Sequence, residues 1–170
     1  MCSGGCGGTG RAASGAPGAH ASRGHSSVRY CRFAGLGRAA GLIGAKGLTI
    51  WIADPTGRLY PGAAHGYPPE ALSRLGSLDP TADNATAAAY RTSSTQTVAG
   101  DARRSGALVV PLMGVGGCVG VLAAEMEHGR ERADGVRAVT RIVAAQLATL
   151  IPGAAETHAT EAPVARAESG

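Results

Sequence analysis

Residues 105–125, SGALVVPLMGVGGCVGVLAAE, consist of two apolar runs joined by a glycine-rich connection. Residues 107–112 and 118–124 are rich in β-branched and aliphatic side chains, a composition that favours strands. Glycine supplies the positive φ that tight turns need, so residues 113–117 predict a turn between two antiparallel strands. Pro111 has no N–H to donate, so it must face away from the pairing partner or lie at a bulge.

Residues 48–53, LTIWIA, form another run of β-branched and aromatic side chains. They end at the turn sequence DPTG, and residues 58–60 follow as a short strand, so we predict a second antiparallel hairpin. LTIWIA and the later VGVLAA are nearly continuous in apolar residues, which is typical of central strands covered on both faces. TQTV at residues 95–98 predicts one more strand.

Residues 132–151 have the clearest helical pattern in the chain. Apolar side chains recur there at spacings of three, four, four and three residues, which predicts a helix with one apolar face. Weaker patterns predict an amphipathic helix within residues 28–46 and short helices within residues 68–76 and 82–93. The predicted apolar face of the closing helix consists of Val136, Val139, Val143, Leu147 and Leu150.

The net charge of +4 is unevenly distributed along the 170 residues. Residues 1–47 carry six basic side chains and no acidic one, residues 48–151 carry nine of each sign, and residues 152–170 have a net charge of −2. We therefore predict a disordered basic arm rich in Gly, Ser and Ala at residues 1–27, a folded domain at residues 28–151, and a disordered acidic tail over the remaining residues.

No apolar run is long enough to cross a bilayer, and the N-terminal residues lack the hydrophobic segment of a signal peptide. We therefore expect a cytoplasmic protein with no membrane contact, whose four cysteines are reduced thiols. Cys2, Cys6, His20 and His25 have spacings close to those of a zinc finger, but the stretch between the pairs lacks the aromatic and leucine side chains that form the core of a finger. We predict no metal site and no cofactor.

The order of these elements, together with several local sequences, resembles a GAF domain. The resemblance covers residues 41–151 and is carried by LTIWIADPTGRL, AAAYRTSSTQTVAGD, SGALVVPL, GCVGVLAAE and VTRIVAAQLATLI. It implies an α+β fold with an antiparallel sheet of five or six strands, ordered 2-1-5-4-3 at its core. The terminal helices would lie on one face of the sheet, and short helices and loops would lie over a small-molecule pocket on the other. PAS domains share this plan.

The resemblance also implies which side chains contact a ligand. Tyr90, Arg91 and Asp101 occupy stretches that border the cavity in the family, Tyr67 is expected at its mouth, and Arg104 is placed to meet an anionic ligand. The alternative at each position is a structural role or a solvated surface loop. We take these five residues as the predicted ligand-binding set.

Several activities of the family lack their residues in this sequence. The Asn-Lys-Phe-Asp-Glu signature of members that bind cyclic nucleotides is absent, and residues 60–101 contain no cysteine to attach a bilin. Members that reduce free methionine sulfoxide need several pocket cysteines, whereas Cys118 is the one cysteine after residue 31. No nucleophile, base and orienting group can be assembled from His65, His128 and their neighbours, so we predict no enzyme and no catalytic residue.

We predict a non-catalytic regulatory module that senses an unidentified small molecule, with a role in signalling and with its output passed through terminal helices or an effector protein in trans. One alternative is a structural module with an empty pocket that forms a homodimer through its terminal helices. The other is a nucleic-acid-binding protein that uses the basic arm. The pattern of elements favours the ligand-sensing module over both alternatives. The near-neutral charge of the folded part argues against nucleic acid as the main partner.

Overall fold

The computed structural model describes residues 35–151. The predicted basic arm, the acidic tail and the first part of the segment 28–46 lie outside the described residues. No helix within the described range is both long and apolar enough to cross a membrane. Within this range, four α-helices and five strands follow one another in the order α1 (Leu36–Ile43), β1 (Ala45–Ala53), β2 (Leu59–His65), α2 (Pro69–Leu72), α3 (Ala85–Thr92), β3 (Gln96–Val98), β4 (Gly106–Gly114), β5 (Gly117–Met126) and α4 (Asp134–Ala148).

All neighbouring strands pair antiparallel, in the order β2-β1-β5-β4-β3. This arrangement confirms the predicted fold class and the core order 2-1-5-4-3. Both predicted hairpins are present, because β1 pairs with β2 and β4 pairs with β5. The turn of the second hairpin is shorter than predicted: Gly114 pairs with Gly117, so only Val115 and Gly116 lie outside the strands.

Three register shifts interrupt the sheet within residues 35–151. The first lies between Ile50 and Trp51 and leaves Gly62 of β2 unpaired, the second lies between Leu112 and Met113 and leaves Val119 of β5 unpaired, and the third lies between Ala45 and Gly47 and leaves Lys46 of β1 unpaired. Each extra residue bends its strand and increases the local twist. Pro111 lies beside the second shift, on a part of β4 that β3 does not reach. A proline is tolerated there because a residue at a sheet edge or at a bulge does not need to donate an N–H to a neighbouring strand.

Helices α1 and α4 cover one face of the sheet, which we call the helix face. They bury the alternate residues of β1, β4 and β5 whose side chains point towards them, as the period of two along a strand requires. Helix α1 ends at Gly44 in the left-handed conformation, φ 71°, and so leads directly into β1. The largest wholly buried side chains of this core are those of Ile43, Leu48, Ile50, Leu108, Leu112, Leu122 and Met126.

The buried face of α4 differs from the predicted one. Val139 and Leu150 are 36% and 43% exposed, whereas Thr140, Ala144 and Ala148 are buried. The physical reason is packing distance, because these small side chains let the helix lie close against β4 and α1, while the larger ones at the edge of the stripe point outward. The Thr140 hydroxyl is satisfied within the helix by donating to the carbonyl of Val136.

Helix α3 packs on the opposite face of the sheet, which we call the α3 face. Asn84 is the N-cap of this helix, and its side chain accepts a 2.9 Å hydrogen bond from the amide of Ala87. A cap at Asp83 or its neighbour is what the sequence favours. Ala87 and Ala89 are wholly buried. The second core lies beneath the helix and contains Leu59, Ala89, Val109 and Val121, with Trp51 and Tyr90 packed against them.

Candidate functional site

The part of the α3 face away from the helix carries polar side chains. Leu48 and Ile50 of β1 and Ala124 of β5 point to the helix face, so the alternation places Thr49 and Glu125 on the other side. Thr49 is 5% exposed and Glu125 is half-buried. These two side chains lie near the start of β1 and the end of β5, next to a surface that is otherwise apolar.

Tyr67 completes this polar group. Its hydroxyl donates a 3.2 Å hydrogen bond to Oε2 of Glu125, and its ring lies against Gly47, where a Cβ would overlap the ring. Burial raises the pKa of Tyr67 above its ordinary value, and the neighbouring charge of Glu125 raises it further. The tyrosine is therefore neutral at physiological pH and serves as a hydrogen-bond donor. We call Thr49, Tyr67 and Glu125 the carboxylate site.

Tyr90 lies at the other end of the α3 face. Its ring is half-buried over Gly57, and its pKa is raised first by burial and then by the nearby Cys118 and Asp54. Arg91 follows it on α3 but is exposed, and its guanidinium donates to the backbone carbonyls of the loop that precedes the helix. These two predicted ligand contacts are therefore separated along the sheet from Tyr67.

Asp101 and Arg104 bind each other in the loop between β3 and β4. The Asp101 carboxylate accepts hydrogen bonds from the amides of Arg103 and Arg104 and pairs with the Arg104 guanidinium at 2.9 Å. The amide of Arg103 is the main cause that lowers the pKa of Asp101, followed by the Arg104 side chain. Within residues 35–151, neither side chain forms a hydrogen bond with Tyr67 or Tyr90.

Sequence reasoning missed two members of the carboxylate site, Glu125 and Thr49. Glu125 ends the sequence VLAAE, and a charged residue after an apolar run usually indicates the exposed end of a strand. The signal that identifies it is the alternation, because Glu125 is two residues after Ala123 and four after Val121, which both point to the α3 face. The same alternation places Thr49 two residues before Trp51.

The loop between β3 and β4 is held by a buried carboxylate. Glu131, in the 3₁₀ turn Arg130–Arg132, is fully buried and accepts a 3.3 Å hydrogen bond from the amide of Gly100, while its Oε2 has no partner among residues 35–151. A Cβ at Gly106 would overlap this carboxylate, so the loop closes tightly around it. Hydrogen bonds from its own amide, then from Gly100 and Gly129, outweigh desolvation and lower the pKa of Glu131.

We expect Glu131→Gln to weaken the pH dependence of stability. Because the pKa of Glu131 is lower in the folded protein than its ordinary value of 4.5, the charged form stabilises the fold above that pH, and this contribution is lost as the pH falls through the lowered value. The urea midpoint of the wild type should therefore fall more steeply on acidification than that of the variant. Glu70→Gln, at an exposed residue of α2, is the control and should follow the wild type. Parallel wild-type and Glu131→Gln profiles would show that the charge contributes nothing.

Cys118 lies at the start of β5, with its side chain half-buried. Its thiol donates to the carbonyl of Gly120 at 3.1 Å, and burial raises its pKa above the ordinary value. A thiol with a raised pKa is mostly protonated at neutral pH and is a poor nucleophile. No group of three or more metal-ligating side chains occurs within residues 35–151, and Cys2, Cys6, His20 and His25 lie outside that range.

Comparison with known proteins identifies the fold. No protein-family model and no curated protein matches the sequence. Among solved structures, the chain is similar to the GAF domain/HD domain protein from Geobacter sulfurreducens, with a TM-score of 0.58, 16% identity, and coverage of 70% of this chain and 89% of that one. The GAF-B domain of DevS from Mycobacterium smegmatis gives a TM-score of 0.56 at 24% identity, covering 67% and 85% of the two chains.

A third similar structure is the type II free methionine-R-sulfoxide reductase from Thermoplasma acidophilum, with a TM-score of 0.56, 12% identity, and coverage of 71% of this chain and 88% of that one. At these identities the similarity establishes the fold alone. The described residues therefore have the fold of GAF domains, which confirms the resemblance found in the sequence.

Proposed function

We propose that this GAF-fold protein is a non-catalytic regulatory domain that binds a small molecule at the carboxylate site on the α3 face. Regulatory domains are common among proteins of this fold, which makes a signalling role the natural context. Tyr67, which the sequence predicts as a ligand contact, belongs to this site, together with Thr49 and Glu125. The side chain of Arg91 bonds to the backbone of the preceding loop, and Asp101 and Arg104 bond to each other. The proposal therefore rests on Tyr67 and its neighbours.

One observation carries the proposal: Glu125 is a half-buried carboxylate without a basic partner among the described residues. The hydrogen bond from Tyr67 reaches Oε2, and within residues 35–151 Oε1 accepts none. Burying a carboxylate is costly unless donors compensate the lost hydration. The site therefore suits a ligand that presents N–H donors or a positive charge, such as an amine, an amidine or an amino-substituted heterocycle.

The chemistry of Cys118 supports a binding role over a catalytic one. Its raised pKa keeps the thiol protonated, and it has no cysteine neighbour in the described residues with which to form a disulfide. The reductase of the same fold from Thermoplasma acidophilum shares 12% of its residues with this chain, so its activity does not transfer. Glu125, Tyr67 and Thr49 likewise include no activated nucleophile.

The experiment is a thermal shift screen of the full chain against amine- and amidine-bearing metabolites, with Glu125→Gln and Tyr67→Phe as variants. A ligand at about 100 times its Kd stabilises the wild type by about 2.7 kcal/mol, which raises the midpoint. Removing the charge should weaken binding by roughly tenfold or more, because a hydrogen bond to a charged group contributes about 1.5–3 kcal/mol. Tyr67→Phe should weaken it by a smaller factor.

Glu70→Gln is the matched control for the screen, because it removes the charge of an exposed glutamate outside the site. It should bind as the wild type does. A hit that stabilises Glu125→Gln as strongly as the wild type would place the ligand elsewhere and contradict the proposal, and so would a screen in which no compound stabilises the wild type.

A second candidate function, a structural module that dimerises, is favoured by exposed apolar side chains on the terminal helices. Leu42 of α1 is 73% exposed, and Ile142 of α4 is 63% exposed. Such side chains are common on partner-binding surfaces. A dimer in light scattering, combined with a failed ligand screen, would favour this second candidate. The nucleic-acid alternative depends on the basic arm, which lies outside the described residues.

A further inference from the structure

A groove of about 480 Å³ lies at the edge of the sheet, between α4 and the part of β4 that β3 does not reach. Its walls are Arg141 on α4 and the segment Ser93, Ser94 and Thr95 that follows α3, and Pro111 contributes to its floor. The carboxylate site is built on the central strands β1 and β5, whereas this groove opens beside the outer strand. We call it the edge groove.

The edge groove exists because β3 is short. Its three residues pair with residues 107–109 of β4, so the following part of β4, which pairs with β5 on its inner side, has no strand on its outer side. Ser93 turns the chain away from that edge with φ 50° and ψ 31°, the one positive φ at a non-glycine residue within residues 35–151. Glycine or asparagine adopts this conformation more readily than serine. The serine therefore keeps a hydroxyl at the rim of the groove at the expense of backbone strain.

Hydrogen-bond donors converge on the edge groove. Nε of Arg141 donates to Oγ1 of Thr95 at 3.3 Å, which leaves the Thr95 hydroxyl hydrogen and the terminal N–H groups of Arg141 without an acceptor among the described residues. Ser94 donates to the carbonyl of Thr92, while Ser93 makes no hydrogen bond through its hydroxyl within the same range. These free donors surround a cavity whose lining contains no acidic side chain.

The charge balance at the edge groove is positive. Arg141 forms no ion pair with any acidic side chain of the described residues, and Arg137 lies one turn earlier on the same side of α4, at 3.9 Å from Asp134. The carbonyl end of α3 opposes this with the equivalent of roughly half a negative charge. The full guanidinium charge of Arg141 exceeds that fraction, so an anion is attracted.

We propose that the edge groove is a second ligand site, which takes a small molecule bearing a carboxylate or phosphate group. The guanidinium of Arg141 provides paired N–H donors that match the oxygens of either group, and the hydroxyls of Ser93 and Thr95 complete the set. Val110, Pro111 and Met113 offer apolar contacts to the rest of the ligand. The volume falls within the usual range of small-molecule sites.

The test is an NMR titration of the isotopically labelled full chain with inorganic phosphate and, separately, with succinate, at constant ionic strength set by chloride. We expect saturating shifts of the amides of Ser93 and Thr95 and of the Arg141 Nε–H signal with at least one probe. The probe that binds more tightly identifies phosphate or carboxylate as the recognised group. Arg141→Gln should weaken this binding by about tenfold or more.

Arg74→Gln is the control, because Arg74 is also exposed but lies outside the groove. It should bind both probes as the wild type does, and Glu125→Gln should do so too, which separates this proposal from the carboxylate site. Shifts that fail to saturate with both probes, or that persist unchanged in Arg141→Gln, would overturn the proposal. An unchanged thermal midpoint of Arg141→Gln shows that its loss of binding is not a loss of folding.

Discussion

Replacing Gly120 by alanine is expected to lower the free energy of unfolding by roughly 3 kcal/mol. Gly120 is buried in β5 beside the register shift, and a Cβ there would overlap the backbone carbonyl oxygen of Trp51 on β1. The obstacle is the backbone of a central strand, so no side-chain rotation relieves it, and β1 must move away from β5. Such a loss is a large fraction of the about 5–15 kcal/mol that stabilises a typical domain.

Gly135→Ala is the matched control for this substitution. Gly135 lies in the first turn of α4, where an added Cβ would have no atom within 4 Å apart from its chain neighbours and the backbone of its own helix. Alanine there should stabilise the domain by up to about 1 kcal/mol, because it reduces the conformational freedom of the unfolded chain and favours the helix. Urea unfolding followed by circular dichroism measures both changes. Equal stability of Gly120→Ala and the wild type would contradict the observed packing of β5 against β1.

Leu122→Ala is expected to cost about 2–5 kcal/mol. Leu122 is wholly buried in the middle of β5, on the helix face, where it pairs with Ile50 on one side and Val110 on the other. Truncating it removes apolar contacts and leaves a cavity that the rigid sheet and α4 fill only in part. The surroundings are closely packed, so the loss should lie well above that of a surface substitution.

Leu42→Ala removes the same atoms from an exposed position. Leu42 is 73% exposed on α1, so its replacement should change the free energy of unfolding by no more than about 0.5 kcal/mol. The two variants remove the same side-chain atoms, one from a buried strand position and one from an exposed helix position, and the same urea titration compares them. If Leu42→Ala were the more damaging of the two, the assignment of the helix face would be wrong.

The two hairpins follow from local sequence features, whereas the strand order was implied by the resemblance to GAF domains. LTIWIA before DPTG and LVVPL before GVGG combine strand-forming residues with turn chemistry at short range, so they determine pairing without long-range information. The bulges at Gly62 and Val119 were not predictable, because an unpaired residue depends on the register of two strands that meet only in the folded sheet. The length of the turn at Val115 and Gly116 was not predictable for the same reason, because it is set by the register in which Gly114 pairs with Gly117.

The buried face of α4 and the surroundings of the charged side chains were harder to predict from the sequence. Spacing alone favours Val139 and Leu150 as core residues, but the close approach of the helix to the sheet selects Ala144 and Ala148. Glu131 lies in the charged sequence HGRERAD, which is typical of a solvated loop, yet it is fully buried because the loop between β3 and β4 folds around it. Long-range contacts of this kind leave no periodic signal.

The two proposed sites differ in the ligand chemistry that they would recognise. Glu125 presents a carboxylate on the α3 face, and Arg141 presents a guanidinium at the sheet edge. Because the two sites are built from different strands and have opposite charge, they should select different molecules. Variants at one site should leave the other unchanged, which allows each proposal to be tested independently.

The most direct test of the central proposal is a crystal structure of the full chain with the strongest binder from the thermal shift screen. The account predicts the ligand on the α3 face, with an N–H donor within hydrogen-bond distance of Oε1 of Glu125 and with Tyr67 and Thr49 beside it. A ligand found elsewhere on the molecule, with no ligand donor near the Glu125 carboxylate, would contradict it.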